Sequence, residues 1–131
     1  MKYALYVGRW QPFHRGHQWL VEQQLNQGKN VLLAIRDVPP DENQPFAAEQ
    51  VKSMIEVLYR GNDRVKAIII PDIESINYGR GVGYQVIEHK PDENTCRISA
   101  TEIRRSIRAG DGQWQSFVDP VLHGYLEEHL K

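Results

Sequence analysis

Three short apolar runs punctuate the chain, at residues 3–7, 31–35 and 65–70, and each reads as continuous rather than alternating. Unbroken runs of this length predict strands buried on both faces of a parallel sheet. The segments between them carry helical spacing. Leu20, Val21, Gln24 and Leu25 follow the first run; Val51, Met54, Ile55, Leu58 and Tyr59 follow the second, with Gly61-Asn62 as a stop. Strand, helix, strand, helix, strand is the order of right-handed βαβ units and predicts an α/β protein.

The second half is less regular. Pro71-Asp72-Ile73 leads into a stretch rich in glycine and tyrosine, residues 77–84, and residues 85–89 are expected to form a fourth strand. A polar loop over 90–95 precedes a third helix at about 99–109, broken by Gly110-Asp111-Gly112. Asp119-Pro120 has the form of an N-cap with proline in the first turn. The last helix is expected to reach about His129 and to bury Val121, Leu122, Tyr125 and Leu126.

With 131 residues and no linker, repeat or low-complexity tract, the chain is expected to form one domain over residues 1–131. Its 16 Lys and Arg balance 17 Asp and Glu, a formal charge of −1, which removes the broad basic field of a general nucleic-acid binder. The single cysteine, Cys96, allows no internal disulfide and no cysteine-rich metal cage. Apolar runs of five or six residues are too short to span a bilayer, and the N-terminus lacks the apolar region of a signal peptide. These features predict a small soluble, cytoplasmic protein with no nucleic-acid or membrane partner.

Candidate chemistry lies in two places. The first run leads into Gly8-Arg9-Trp10-Gln11-Pro12-Phe13-His14-Arg15-Gly16-His17, at the expected start of the first helix. A helix N-terminus offers free N–H groups and partial positive charge to a phosphate, and His14 and His17 can add donors to the same anion. Gly16 would let a ligand approach the backbone. Half of a zinc site is the competing reading, but His89, His123 and His129 show no ligand spacing to complete it. Trp10, Pro12 and Phe13 read as packing. The second place is Ile98-Ser99-Ala100-Thr101-Glu102-Ile103-Arg104-Arg105. Ser99 with Glu102 three residues on is a capping-box pattern. The same hydroxyls and N–H groups, with Arg104 a turn further on, suit a polyphosphate. The two readings stand together.

The first segment resembles the H-x-G-H signature of the nucleotidyltransferase superfamily of cytidylyltransferase-like enzymes, and residues 98–104 resemble its second signature, I-S-x-T-x-I-R. The run from Gly8 to His14 is similar to archaeal-type nicotinamide-nucleotide adenylyltransferases. So are Gln44-Pro45-Phe46, Pro71-Asp72-Ile73, and the tail from Ile107-Arg108-Ala109-Gly110 through Trp114 to Tyr125. The resemblance implies a Rossmann-like domain with a short parallel sheet of about four to five strands, flanking helices and a helical C-terminal tail. It implies transfer of AMP from ATP to a small phosphorylated acceptor, nicotinamide mononucleotide first, with release of pyrophosphate. The acceptor oxygen attacks the α-phosphorus in line, and Mg²⁺ is carried mainly by triphosphate oxygens, with no protein metal ligand. His14, His17 and Arg104 take the catalytic roles, and Gly8, Arg9, Gly16, Ser99 and Thr101 the nucleotide-binding ones.

Two departures bear on the acceptor. Only residues 74–84 stand where such enzymes place a further helix and strand, making this a shortened form; residues 77–84 read either as a tight connection in which glycine serves backbone geometry alone or as a ligand-binding loop, with Tyr78, Arg80 and Tyr84 the candidates for acceptor binding. Glu49-Gln50-Val51 occupies the place where an arginine often follows Pro-Phe. Lys52 and Arg36 read as surface charges. A cytidylyltransferase or another adenylyltransferase acting on a phosphorylated alcohol is the alternative, with a non-catalytic nucleotide sensor as the alternative from another class. A homo-oligomer that completes the pocket is also open.

Overall fold

A computed structural model describes residues 1–81 and 83–130. Three strands, β1 (Tyr3–Gly8), β2 (Asn30–Asp37) and β3 (Val65–Pro71), pair in parallel in the order β1-β2-β3. Helix α1 (Arg15–Leu25) joins the first pair and α2 (Ala48–Leu58) the second. Both crossovers run in the same direction across the sheet, and right-handedness therefore places both helices on one face. On that face Val31, Leu33 and Ile35 of β2 are fully buried against Val21 of α1 and Val51, Met54 and Ile55 of α2. The three expected strands and the two helices between them are thus in place.

Beyond β3 the chain runs without regular structure to a one-turn helix, α3 (Glu93–Cys96), which caps on Asp92 inside the expected polar loop. Helix α4 (Ala100–Ala109) follows and ends at Gly110. A 3-10 turn (Gln113–Phe117), a second (Pro120–Leu122) capped by Asp119, and α5 (His123–Leu130) complete the fold. Ile103 and Ile107 of α4 join Trp114, Val118, Leu122, Leu126 and Leu130 in the same apolar cluster as the β2 residues. No helix is long and apolar enough to cross a membrane among the described residues.

Three expectations are corrected. The sheet has three strands among the described residues where four to five were expected, because residues 85–89 pair with nothing: Val86 and Ile87 are exposed, and only His89 touches β1, its ring lying 6.2 Å from that of Tyr6. Val121 and Tyr125 are exposed, since the last segment opens as a 3-10 turn and its buried stripe runs through Leu122, Leu126 and Leu130 at helical spacing. The Ser99 capping box is only half formed. Ser99 Oγ accepts the Glu102 N–H at 3.4 Å, but the Glu102 carboxylate turns to Arg105 at 2.9 Å.

The fold hangs on the β2 layer. Leu33→Ala removes a fully enclosed side chain from the centre of that layer. It is expected to lower unfolding free energy by about 3 kcal/mol in urea denaturation followed by circular dichroism.

Candidate functional site

The loop from β1 into α1 is held by aromatic packing and by one unusual backbone conformation. Trp10 lies in the left-handed region at φ 55°, which bulky residues rarely adopt. Its buried indole sets that conformation by filling the space over Gly8, where an added Cβ would lie 2.8 Å from the ring. The same ring meets His17 edge-on at 4.7 Å and Phe13 at 5.5 Å. Phe13 is fully enclosed. Trp10 and Phe13 are therefore packing residues that form the wall behind His17, as expected from their chemistry. The space left by Gly8 is taken by this indole.

His14 is the N-cap of α1, and the two histidines cap the helix reciprocally. His14 Nδ1 accepts the Gly16 N–H at 3.1 Å, and His17 Nδ1 accepts the His14 N–H at 3.2 Å. The rings stack with centroids 3.6 Å apart. An imidazole nitrogen that accepts an N–H carries no proton, so each neutral ring holds its hydrogen on Nε2. Burial pushes the His14 pKa down to about 4 and the His17 pKa well below its usual value, His17 being lowered further by His14. Both rings are neutral donors at pH 7. Gly16 is required by this stack: an added Cβ would fall 2.9 Å from His14 Cε1 and 3.7 Å from Ile98 Cβ. The second contact places the approach to α4 beside the start of α1.

Arg104 joins the two segments. It is buried, with 7% of its surface exposed. Its Nη1 donates to the Gln11 carbonyl at 2.6 Å and its Nη2 to Thr101 Oγ1 at 3.3 Å. Burial and the nearby Arg108 guanidinium lower its pKa, while Asp41 acts in the opposite sense. Its direct hydrogen bonds go to neutral acceptors, and no carboxylate lies within ion-pair distance of it among the described residues. A buried cation so placed is a favourable neighbour for an added anion. Ser99 is the N-cap of α4 and Thr101 stands in its first turn.

Gln11 was not singled out from the sequence as a site residue, yet it is the hinge of this arrangement. Its side-chain amide pairs with both backbone groups of Phe46: Nε2 donates to the carbonyl at 2.8 Å, and Oε1 accepts the N–H at 2.9 Å. The loop before α1, the loop before α2 and helix α4 are thereby tied at one residue. The only signal available in the sequence was the presence of Gln11 and Pro45-Phe46 in two segments of the same resemblance.

The remaining candidates are less drawn in. Arg9 Nε and Trp10 Nε1 are buried and unpaired among the described residues, while Arg9 contributes to lowering the Asp72 carboxyl pKa. Arg36 is engaged structurally, donating to Asp72 at 2.8 Å and to the Ile73 carbonyl at 3.1 Å. Tyr78 and Tyr84 are 64% and 57% exposed, and neither they nor Arg80 makes a hydrogen bond, ion pair or ring contact with the described residues. The structure stacks His14 on His17, sets Gly16 beside Ile98, and bonds Arg104 both to Thr101 and to the Gln11 carbonyl of the loop before α1. It does not bring Tyr78, Arg80 and Tyr84 to them.

Two outcomes follow from this geometry. Both histidine pKa values lie below those of the unfolded chain, so the unfolded state takes up more protons as pH falls through about 6.5. Stability present at pH 7 is lost between that value and about 4, with His14 alone costing about 3 kcal/mol over the window. Thermal melts at pH 7, 5.5 and 4.5 will show this as a falling Tm, and the fall will be shallower in His14→Asn. Separately, Gln11→Leu leaves the Phe46 N–H and carbonyl buried without partners. It is expected to cost about 2 kcal/mol in urea unfolding.

Comparison with known proteins places this geometry. Residues 5–68 match the cytidylyltransferase-like family. The nicotinamide-nucleotide adenylyltransferase of Methanococcus aeolicus is 34% identical over 152 aligned positions, covering 95% of this chain and 88% of that protein. That of Pyrococcus furiosus is 27% identical and covers 98% and 84%. The nicotinamide/nicotinic acid mononucleotide adenylyltransferase of Acinetobacter baylyi is 30% identical over 57% of this chain, and the match spans only 41% of its own length. Among solved structures, a bifunctional NMN adenylyltransferase/ADP ribose pyrophosphatase from Francisella tularensis, complexed with AMP and a manganese ion, is 32% identical over 52% of this chain and 22% of its own, with a TM-score of 0.47. The Methanococcus alignment runs over more positions than the 131 residues of this chain, so the chain skips positions that its relative has. Two signatures joined at one site, with similarity along most of the chain, show that it belongs to the cytidylyltransferase-like nucleotidyltransferases, as a shortened relative of the archaeal nicotinamide-nucleotide adenylyltransferases.

Proposed function

We propose that this chain transfers AMP from ATP to nicotinamide mononucleotide, giving NAD and pyrophosphate. The observation that carries the reading is the reciprocal histidine cap, which leaves each neutral ring its hydrogen on Nε2 at the start of α1, after a loop whose Gln11 carbonyl accepts from the buried Arg104. In the reaction a phosphate oxygen of the acceptor forms a bond to the α-phosphorus of ATP. The bond from that phosphorus to the bridging oxygen breaks, and pyrophosphate leaves with its electron pair. No covalent intermediate on the protein is needed, so catalysis consists of positioning two anions and stabilising charge on the transferred group.

Each part of the site has a task in this scheme. His17, against the Trp10 wall, donates to α-phosphate oxygens as charge builds there, and His14 donates to the adjoining phosphate. Ser99, Thr101 and the free N–H groups of α4 hold the β- and γ-phosphates, with Arg104 countering the charge of the departing pyrophosphate. Arg9 serves the acceptor phosphate or the triphosphate. Among the described residues no group of three His, Cys, Asp or Glu side chains could hold a metal ion. Mg²⁺, held by triphosphate oxygens, would supply neutralisation of phosphate charge. Because both imidazoles donate while neutral, binding of ATP does not depend on their protonation between pH 6 and 8.

The test is product analysis with Mg²⁺, ATP or CTP, and either nicotinamide mononucleotide or a panel of phosphorylated alcohols. NAD and pyrophosphate are expected from ATP and nicotinamide mononucleotide. His17→Ala is expected to lower kcat by about 100-fold or more with a smaller change in the KM for ATP. A nucleotidylated alcohol without NAD would move the acceptor to that class, and ATP binding with no pyrophosphate released from any pair would leave a sensor.

A further inference from the structure

We infer that Arg36 and Arg9 together seat the phosphate of the acceptor at the carboxyl ends of β1 and β2, with Asp72 holding Arg36 in place. From the sequence Arg36 reads as a surface charge, but its position in the sheet says more. Gly8 pairs with Ile35 at the end of β1, so Arg9 comes next, in line with Arg36. Both stand two steps on from the paired Val7 and Ala34, and alternation sets them on the same side. Asp72 follows Pro71, which pairs with Asp37 at the end of β3. In open parallel sheets this rim is where ligands bind.

The bonding within this group is lopsided. Asp72 Oδ1 accepts from Arg36 Nε at 2.8 Å and from the Ile73 N–H at 3.0 Å, and it meets Arg36 Nη2 at 2.7 Å. Nη2 also donates to the Ile73 carbonyl at 3.1 Å. One edge of the guanidinium is thus locked, while Nη1 donates to no described residue. Arg9 makes no ion pair among the described residues, and its Nε is buried without a partner there. Burial acts to raise the Asp72 pKa, yet it is lowered, by the Arg36 and Ile73 hydrogen bonds and by the charges of Arg36 and Arg9. Arg9 therefore lies close enough to share that carboxylate with Arg36. Two guanidiniums against one carboxylate leave the trio a net positive charge.

The inference rests on the proposed reaction only in that the acceptor brings a phosphate. In-line attack needs that phosphate across the α-phosphorus from the leaving pyrophosphate, and so apart from the donors at the start of α4. Two anions brought together repel, and a fixed guanidinium with open donors opposes that repulsion. Arg9 opens the loop that carries His14 and His17, which ties this group to the start of α1.

Calorimetric titration of the full chain with nicotinamide mononucleotide and with Mg²⁺–ATP tests this in Arg36→Gln, Arg36→Lys and Asp72→Asn. Arg36→Gln is expected to weaken the mononucleotide at least about tenfold and to leave ATP within about twofold, with circular dichroism unchanged. Arg36→Lys is expected to fall between it and the parent. Asp72→Asn breaks the same ion pair, but it keeps an oxygen for Arg36 and removes a negative charge beside the phosphate. It is expected to bind the mononucleotide no more weakly than the parent. An equal loss for ATP, or the same loss in Asp72→Asn as in Arg36→Gln, overturns the inference by marking the pair as structural alone. If the chain instead nucleotidylates a phosphorylated alcohol, the nicotinamide acceptor fails and this seat does not. A rise of about tenfold in the KM for that alcohol in Arg36→Gln, with the KM for ATP unchanged, then supports it, and an unchanged KM overturns it. A chain that binds no phosphorylated acceptor overturns both.

Discussion

Everything at this site depends on where two imidazole nitrogens spend their lone pairs. By accepting backbone N–H groups in the first turn of α1, His14 and His17 satisfy donors that a helix start otherwise leaves open, and they fix their own tautomers in doing so. Stacked rings 3.6 Å apart in a buried loop cannot both carry charge. The pair gives up electrostatic attraction for geometry. Positive potential must then come from elsewhere, and it comes from the N-termini of α1 and α4 and from Arg104. A site built this way has donors whose direction is set before any anion arrives. For phosphoryl chemistry that is the useful property, because little covalent work is left for the protein.

The arrangement is stiff because its parts are bonded to one another across long sequence separations. Gln11 grips Phe46 across 35 residues and receives Arg104 across 93. Phe46 in turn lies under the rings of His129 and Tyr125, so the docking of α5 bears on the same point. None of these bonds is strong alone, at about 1 kcal/mol net for a neutral pair. Their effect is to make the α4 start and the α1 start one body. A displacement of α5 would be passed through Phe46 to the loop that carries both histidines.

The elements that could be read from the sequence are those in which local chemistry and tertiary packing agree. The three strands, the four longer helices and the break at Gly110 follow from periodicity and end signals. The two signatures pointed to His14, His17 and Arg104; the structure stacks the two histidines and bonds Arg104 to the Gln11 carbonyl in the loop before them. What could not be read depends on distant partners. Gln11 looks like any loop glutamine until Phe46 is beside it. Gly8 shows nothing of its neighbour in the sequence, and the Trp10 indole fills the space that a side chain there would take. Ser99 and Glu102 have capping-box spacing, but Arg105 competes for the carboxylate and wins one half of it. The stretch over 85–89 has two apolar residues between polar ones and no neighbour to pair with, so its strand propensity leads to no strand.

The bare sheet face is the clearest case of a sequence asking for more than its own chain supplies. Continuous apolar strands are the pattern of two-sided burial, and here α1 and α2 pack on one side, with residues of α4 and α5 joining the same cluster. The Methanococcus aeolicus relative aligns over more positions than this chain possesses. Leu5, Leu32, Ile68 and Ile70 keep the cost of exposure, at about 25 cal/mol for each Å² of apolar surface left in water.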